Sequence, residues 1–362
     1  MGRGDDVLKR VAVVGPLPPR PGGVSVQTQS LAAAWQGEGL DVQVVNTDLP
    51  ALRRLPVVGR LLLVAAQPLA LAWRLSRWAG GCQIVHVQAS SYWGFMPAAV
   101  AALLKPRRGW RLVVTYHGHQ AEQFLRRAGG LVRWALGRAD AVIALSGWAA
   151  GHFRRAGIAT EEVPILVPVE RFPFQPRGAL RPVVVWARHF TPAYQPALAV
   201  QAVARVRERV PALRLHLLGR GPLQGEVAAL AERLGVPAEF VGSVPFEEMA
   251  RQYQKADLFL NTSDFDNFPA TLIEASACGL PVVTTAAGGI PYMVQDGLDA
   301  LVAPVGDVGA LAEAMERVLS DGDLAARLSA AGRRNAERCA WPAVRERLWA
   351  VYRRALGEGQ VG

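Results

Sequence analysis

Two carboxylates, Asp266 and Glu274, stand eight positions apart in the stretch Ser263 to Pro291, SDFDNFPATLIEASACGLPVVTTAAGGIP, with a proline between them. The stretch reads as a strand end, an acidic loop, a helix opened by Pro269, a short buried strand and a second glycine loop. Proline at the start of a helix is already set to the helical φ. Glu274 then falls about a turn and a half into the helix, and both acids can face one crevice. A helix start offers unpaired N–H groups and a partial positive charge to a phosphate. A carboxylate on its crevice face accepts hydrogen bonds from sugar hydroxyls. Phosphate and sugar together describe a nucleotide-sugar.

Other chemistry-bearing residues end other apolar runs. His117 follows Leu112 to Tyr116 and precedes Gly118, with His119 close behind; Arg188 follows Val183 to Ala187. Arg220 lies in the GRGP loop after Leu213 to Leu218, either as a second cation for a phosphate or as a solvated loop arginine. Ser146 closes the run from Ala141, where it either lines a site or caps the helix that follows. In Arg20-Pro21-Gly22-Gly23-Val24 the glycines let backbone N–H groups approach an anion. His86, His152 and His216 read as surface or satisfied core histidines.

These residues need strands to present them. In the first half Val11 to Gly15, Val42 to Asn46, Ile84 to Gln88, Leu112 to Tyr116 and Ala141 to Ser146 read as strands; in the second, Val183 to Ala187, Leu213 to Gly219, Glu239 to Gly242, Asp257 to Thr262, Pro281 to Thr284 and Leu301 to Ala303. Strands alternating with helical patterns predict α/β architecture, two doubly wound Rossmann-like domains with parallel sheets and right-handed crossovers. The segment Phe172 to Pro182, FPFQPRGALRP, breaks both periodicities and sets the expected border, with domains over 1–175 and 176–338. Ligands of open parallel sheets bind beyond the carboxyl ends of the strands, so two such sheets predict an interdomain cleft. Two helices close the chain, Leu324 to Ala336 and Trp341 to Leu356, with no strand between them.

The order of acid, seven residues, acid, then a small-residue helix, Gly, a Pro-Val-Val strand and a Gly-Gly loop resembles the group 1 (family 4) retaining GT-B glycosyltransferases. Asp266-Asn267 stands where the usual pattern has Glu-Gly, as in a variant subgroup. The resemblance implies transfer of a sugar from a UDP- or GDP-sugar to a hydroxyl acceptor, with retention, the acceptor being a glycan, polysaccharide or lipid-linked precursor. It assigns Glu274 to the ribose hydroxyls, Arg188 to the diphosphate, and Asp266 and His117 to the sugar. Asn267, Phe268, Pro269, Gly22, Gly23, Gly288, Gly289 and Arg220 complete the expected donor side, and Ser146 and His119 the acceptor side. The family's lysine six or seven positions after the arginine is replaced by Tyr194 and Gln195. The resemblance also implies a first domain that binds acceptor, a second that binds donor, and a last helix, 339–362, that crosses back onto the first. A nucleotide-sugar-binding protein without turnover and a nucleotide-sugar 2-epimerase are the alternatives.

Composition narrows the partners. With 51% hydrophobic and 19% charged residues, the 362-residue chain has the make-up of a folded enzyme and not of a disordered tail. Cys82, Cys278 and Cys339 share no ligand spacing, so neither a zinc site nor a disulfide framework is expected. Asp264-Phe265-Asp266 matches an acid, any residue, acid pattern that binds manganese, but in a different, single-domain fold; no metal or cofactor is expected. The excess of 40 basic over 30 acidic residues is scattered along helices and lacks aromatic interleaving, so no nucleic acid is expected. Leu55 to Trp78, with Arg60, Arg74 and Arg77 among Leu, Val and Trp, either lies on an anionic membrane surface or is a buried helix with snorkelling arginines. No signal peptide or spanning helix is read, which places the chain in the cytoplasm, with the inner face of the membrane as a further expectation.

Overall fold

The structure is a computed structural model that describes residues 8–18, 22–48, 57–177 and 181–357, the side chains of 57–65 excepted. Its first sheet is built from β1 (Arg10–Gly15), β2 (Asp41–Asn46), β3 (Ile84–Ala89), β4 (Arg111–Tyr116), β5 (Ala141–Ala144) and β6 (Glu161–Glu162), in the order β2-β1-β3-β4-β5-β6. All pairs are parallel. Each strand of such a sheet has helices over both faces, which is why β3, IVHVQA, is buried at every position. The helices are α1 (Gly23–Gly37), α2 (Val57–Trp78), α3 (Met96–Arg108), α4 (Ala121–Leu136) and α5 (Gly147–Arg155).

The second sheet holds β7 (Val183–Ala187), β8 (Arg214–Leu218), β9 (Ala238–Gly242), β10 (Leu258–Asn261), β11 (Val282–Thr285) and β12 (Leu301–Ala303), ordered β12-β11-β10-β7-β8-β9. Its helices are α6 (Pro196–Arg207), α7 (Gln224–Arg233), α8 (Phe246–Gln254), α9 (Ala270–Ala277), α10 (Val308–Ser320) and α11 (Gly322–Glu337). Strand order reverses between β7 and β10 here, and between β1 and β3 in the first sheet. Both are topological switch points, where the loops diverge and leave room beyond the strand ends.

The chain divides into two units, Met1–Leu166 with Val344–Gly362, and Val167–Ala343. Residues 167–177 are tied to the second unit: Val167 N–H donates to Cys339 O (2.9 Å), Gln175 N–H to Cys278 O (3.2 Å), and Arg177 to Asp257 (2.5 Å). These bonds put the observed border ahead of the expected one at 175/176, since a proline-rich segment can still be anchored by its polar groups. The last helix, α12 (Trp341–Leu356), contributes Val344 onward to the first unit. There Trp349 and Tyr352 each sit 5.3 Å from the Trp35 ring, and Arg345 pairs with Glu38 at 2.7 Å.

Most strands fall within one residue of the sequence reading at each end, and two depart further. The fifth ends at Ala144 and not at Ser146, because Ser146 Oγ accepts the Ala149 N–H and starts α5. The two-residue β6 carries Glu161 and Glu162 and offers no apolar pattern to detect.

Candidate functional site

Arg188 leaves the carboxyl end of β7 and Asp266 follows β10, so the switch point of the second sheet brings them together. Arg188 N–H donates to Leu218 O at 3.0 Å, and this close approach is possible only because residue 219 is glycine: a Cβ there would lie 2.0 Å from Arg188 O. The Arg188 guanidinium is ion-paired with Asp266, both side chains being nearly buried. Its carbon lies 4.6 Å over the Tyr194 ring, a cation–π geometry. The Tyr194 carbonyl accepts from Thr262 Oγ1 (2.9 Å), which fixes the Pro192–Tyr194 turn against the acidic loop. Arg188 Nε is buried and has no partner among the described residues, so one donor of the fork is unused.

Glu274 is the fifth residue of α9, behind the N-cap Pro269, and is only 7% exposed. Tyr253, on α8, donates its hydroxyl to Glu274 Oε2 at 2.9 Å. Burial pushes the Glu274 carboxyl up to about 7, against the opposing pull of that hydrogen bond and of the Arg188 charge. The same burial lowers Arg188 from its usual value, offset by Tyr194, Tyr253 and Glu274. One buried cation is thus flanked by a paired carboxylate, a carboxyl poised near neutrality and two tyrosines.

The glycine pair clamps the acidic loop. Gly288 has φ +54°, and a Cβ on it would meet Asp266 O at 2.1 Å; Gly289 N–H donates to that same oxygen at 2.8 Å. Asn267 and Pro269 are buried and Phe268 is half-buried. Arg220 is exposed and lies along Gly242, where an added Cβ would stand 3.4 Å from its Nε. The structure therefore gathers Arg188, Asp266, Glu274 and the 288–289 loop, and directs Arg220 to the neighbouring strand end.

In the first unit His117 follows β4, with its N–H on Ala89 O (2.7 Å) and its Nε2 2.6 Å from Gln88 Oε1. Burial lowers its imidazole to about 4, so the ring is neutral at pH 7. His119, two residues on, is exposed. Ser146 caps α5. Gly22 has φ +131° and opens α1, and among the described residues no atom lies within 4 Å of a would-be Cβ on it or on Gly23; Arg20 and Pro21 lie outside the described residues. Among the described residues no group of three or more His, Cys, Asp and Glu could hold a metal ion.

Tyr194 and Tyr253 are the site residues that sequence reasoning missed. Tyr194 carried a signal, since it replaces an expected cation, but its stacking on Arg188 depends on the turn. Tyr253 lies 21 residues before Glu274 on another helix, and no local spacing announces it.

Comparison with known proteins agrees with this fold. A family model described as Glycosyl transferases group 1 matches residues 181–321, and one described as Glycosyltransferase Family 4 matches residues 21–171. A GDP-mannose-dependent alpha-(1-6)-phosphatidylinositol monomannoside mannosyltransferase of Mycolicibacterium smegmatis is 30% identical over 369 residues, covering 89% of this chain and 92% of that protein. A D-inositol 3-phosphate glycosyltransferase of Mycobacterium tuberculosis is 32% identical over 179 residues, 47% of this chain and 37% of its own length. Among solved structures, a sucrose-phosphate synthase from Thermosynechococcus elongatus superposes with a TM-score of 0.80 at 20% identity, over 96% of this chain and 99% of that one. Anabaena HepE in complex with UDP-glucose gives 0.70 at 17% identity, over 94% and 98%. At such identities the two structures show likeness of fold.

Proposed function

Because the chain belongs to the group 1, family 4 glycosyltransferases, we propose that its second unit binds the nucleoside diphosphate sugar around Arg188. The protein is an enzyme that transfers a sugar from a nucleotide-sugar, a transferase of class EC 2.4. The observation that carries the assignment of the site is the buried Arg188 guanidinium between Asp266 and Glu274, at the carboxyl ends of β7 and β10.

In this reading Glu274, steadied by Tyr253, accepts hydrogen bonds from the ribose hydroxyls. Arg188 and the N–H groups at the start of α9 meet the diphosphate, whose charge grows as the glycosidic bond breaks. Asp266 is assigned to sugar hydroxyls, and His117, neutral in the first unit, is assigned separately to orienting a sugar hydroxyl. Asp266 is already paired with a guanidinium, which supports a reaction whose leaving-group charge is met by protein cations and dipoles, without a metal or other cofactor. Retention of anomeric configuration belongs to the same proposal.

The mycobacterial relative is GDP-mannose-dependent, which makes GDP-mannose the first donor to try. Its acceptor is a phosphatidylinositol glycoside, and a lipid-linked acceptor here suits α2. Leu69, Trp73 and Arg77 follow at four-residue steps on that helix and are all exposed, a stripe of apolar and cationic groups fit for an anionic bilayer. Leu55 and the Arg60 side chain lie outside what the structure describes. Among the described residues no helix is long and apolar enough to cross a membrane; the proposal is a peripheral contact at the inner face of the cell membrane.

A thermal-shift panel of UDP, GDP and ADP tests the donor assignment, since ligand at 100 times its dissociation constant adds about 2.7 kcal/mol of stability. No shift with any of them would remove the site. Slow donor hydrolysis, abolished in Glu274→Ala and insensitive to EDTA, separates a transferase from a binder without turnover. NMR of the product anomer decides retention. Co-sedimentation with anionic but not zwitterionic vesicles, weakened by Trp73→Ser, decides the membrane contact.

A further inference from the structure

A stripe of polar side chains runs along one face of the first sheet, where an apolar lining would be ordinary. In the parallel pair β3–β4, His86 is opposite Val113 and Gln88 opposite Thr115, so residues 86 and 88 share a face with 115 and 117. The diagonal partners bond: His86 Nε2 lies 2.6 Å from Thr115 Oγ1, and Gln88 Oε1 2.6 Å from His117 Nε2. His86 Nδ1 is 2.7 Å from the Tyr352 hydroxyl on α12. Gln88 is only 4% exposed, and its amide Nε2 has no partner among the described residues. It borders a cavity of about 30 Å³ lined by His86, Thr115, His117 and Gln27, among others. That is room for one water, able to accept the orphaned N–H.

An amide oxygen only accepts, so the ring nitrogen it faces must carry the proton. We propose that Gln88 is a positioning residue that holds His117 in its Nε2–H tautomer, leaving Nδ1 as the lone-pair acceptor offered to a sugar hydroxyl. The inference rests on the reading of His117 as a sugar-orienting residue. Neutrality supports it, since burial lowers both His86 and His117, to about 3 and about 4, and an imidazolium would have no acceptor nitrogen. The cavity water would turn the amide the right way round, taking up its N–H so that the oxygen is left for His117.

The test reads the ring directly, by long-range ¹H–¹⁵N correlation on the full chain. The wild type shows a protonated Nε2 with a slowly exchanging proton and an unprotonated Nδ1. Gln88→Leu loses the slow proton, and its sugar transfer falls about tenfold, the value of one hydrogen bond. Gln88→Glu keeps an acceptor in place and restores the proton signal. A protonated Nδ1 in the wild type, or a slow Nε2 proton that survives Gln88→Leu, overturns the proposal. Unchanged transfer in His117→Ala overturns the sugar-orienting role instead, whatever tautomer is seen.

Discussion

Glu274 is an acid whose surroundings favour its proton. Its value of about 7 in the folded chain lies above the 4.5 of an unperturbed glutamate, so folding favours the protonated form. The stabilisation is complete below about pH 4.5 and is lost as pH rises through about 7, at most about 3 kcal/mol in all. Glu274→Gln has no such dependence, and urea unfolding at pH 5 and pH 8 should show the wild type losing stability that the variant keeps. Arg188→Ala acts in two ways: it leaves Asp266 buried without a counter-charge, and it removes a charged donor worth about 1.5 to 3 kcal/mol to a diphosphate. Nucleotide affinity should fall about 10- to 150-fold by calorimetry, with a lower melting temperature. The placement of Asp266 and Arg188 at strand ends and of Glu274 on a proline-led helix was legible in the sequence, because spacing and apolar runs announce it. The pairing of Arg188 with Asp266 was not, since it depends on which strands meet at the switch point.

Element geometry gives the glycines their meaning. The 288–289 turn can press on the Asp266 carbonyl only without a Cβ at 288. Gly288→Ala should therefore cost about 1 to 3 kcal/mol, shift the acidic loop and weaken nucleotide binding, all readable in one denaturation and titration series. Gly23→Ala is the contrast: among the described residues nothing crowds a Cβ there, so the variant should fold normally and any loss of activity reports on a ligand. α9 has 8 residues and would not persist alone. It is held by burial and by α11, where Ser329 Oγ donates to Gly279 O at 2.7 Å and Arg333 to Ala277 O at 2.9 Å. Sequence reading placed α9 and α12 well because proline and apolar periodicity mark them. It overran β5 because a serine that caps looks like a strand end, and it passed over β6 because two glutamates carry no burial signal.

The whole molecule has one contiguous unit and one split unit. Residues 167–343 hold Arg188, Asp266, Glu274, Tyr194 and Tyr253, so a fragment of that span should fold and shift its melting point with the nucleotide that the full chain prefers. A fragment ending at 166 should not, because Trp35 and His86 would lose Trp349 and Tyr352. Both doubly wound sheets were legible from alternating strands and helices. The border was not, since hydrogen bonds invisible to composition anchor residues 167–177. The split has a consequence for biosynthesis. The ribosome releases residues 344–357 only after the second unit has emerged, so the unit that is begun first is finished last, and until then Trp35 lacks Trp349 and Tyr352, the rings that cover it.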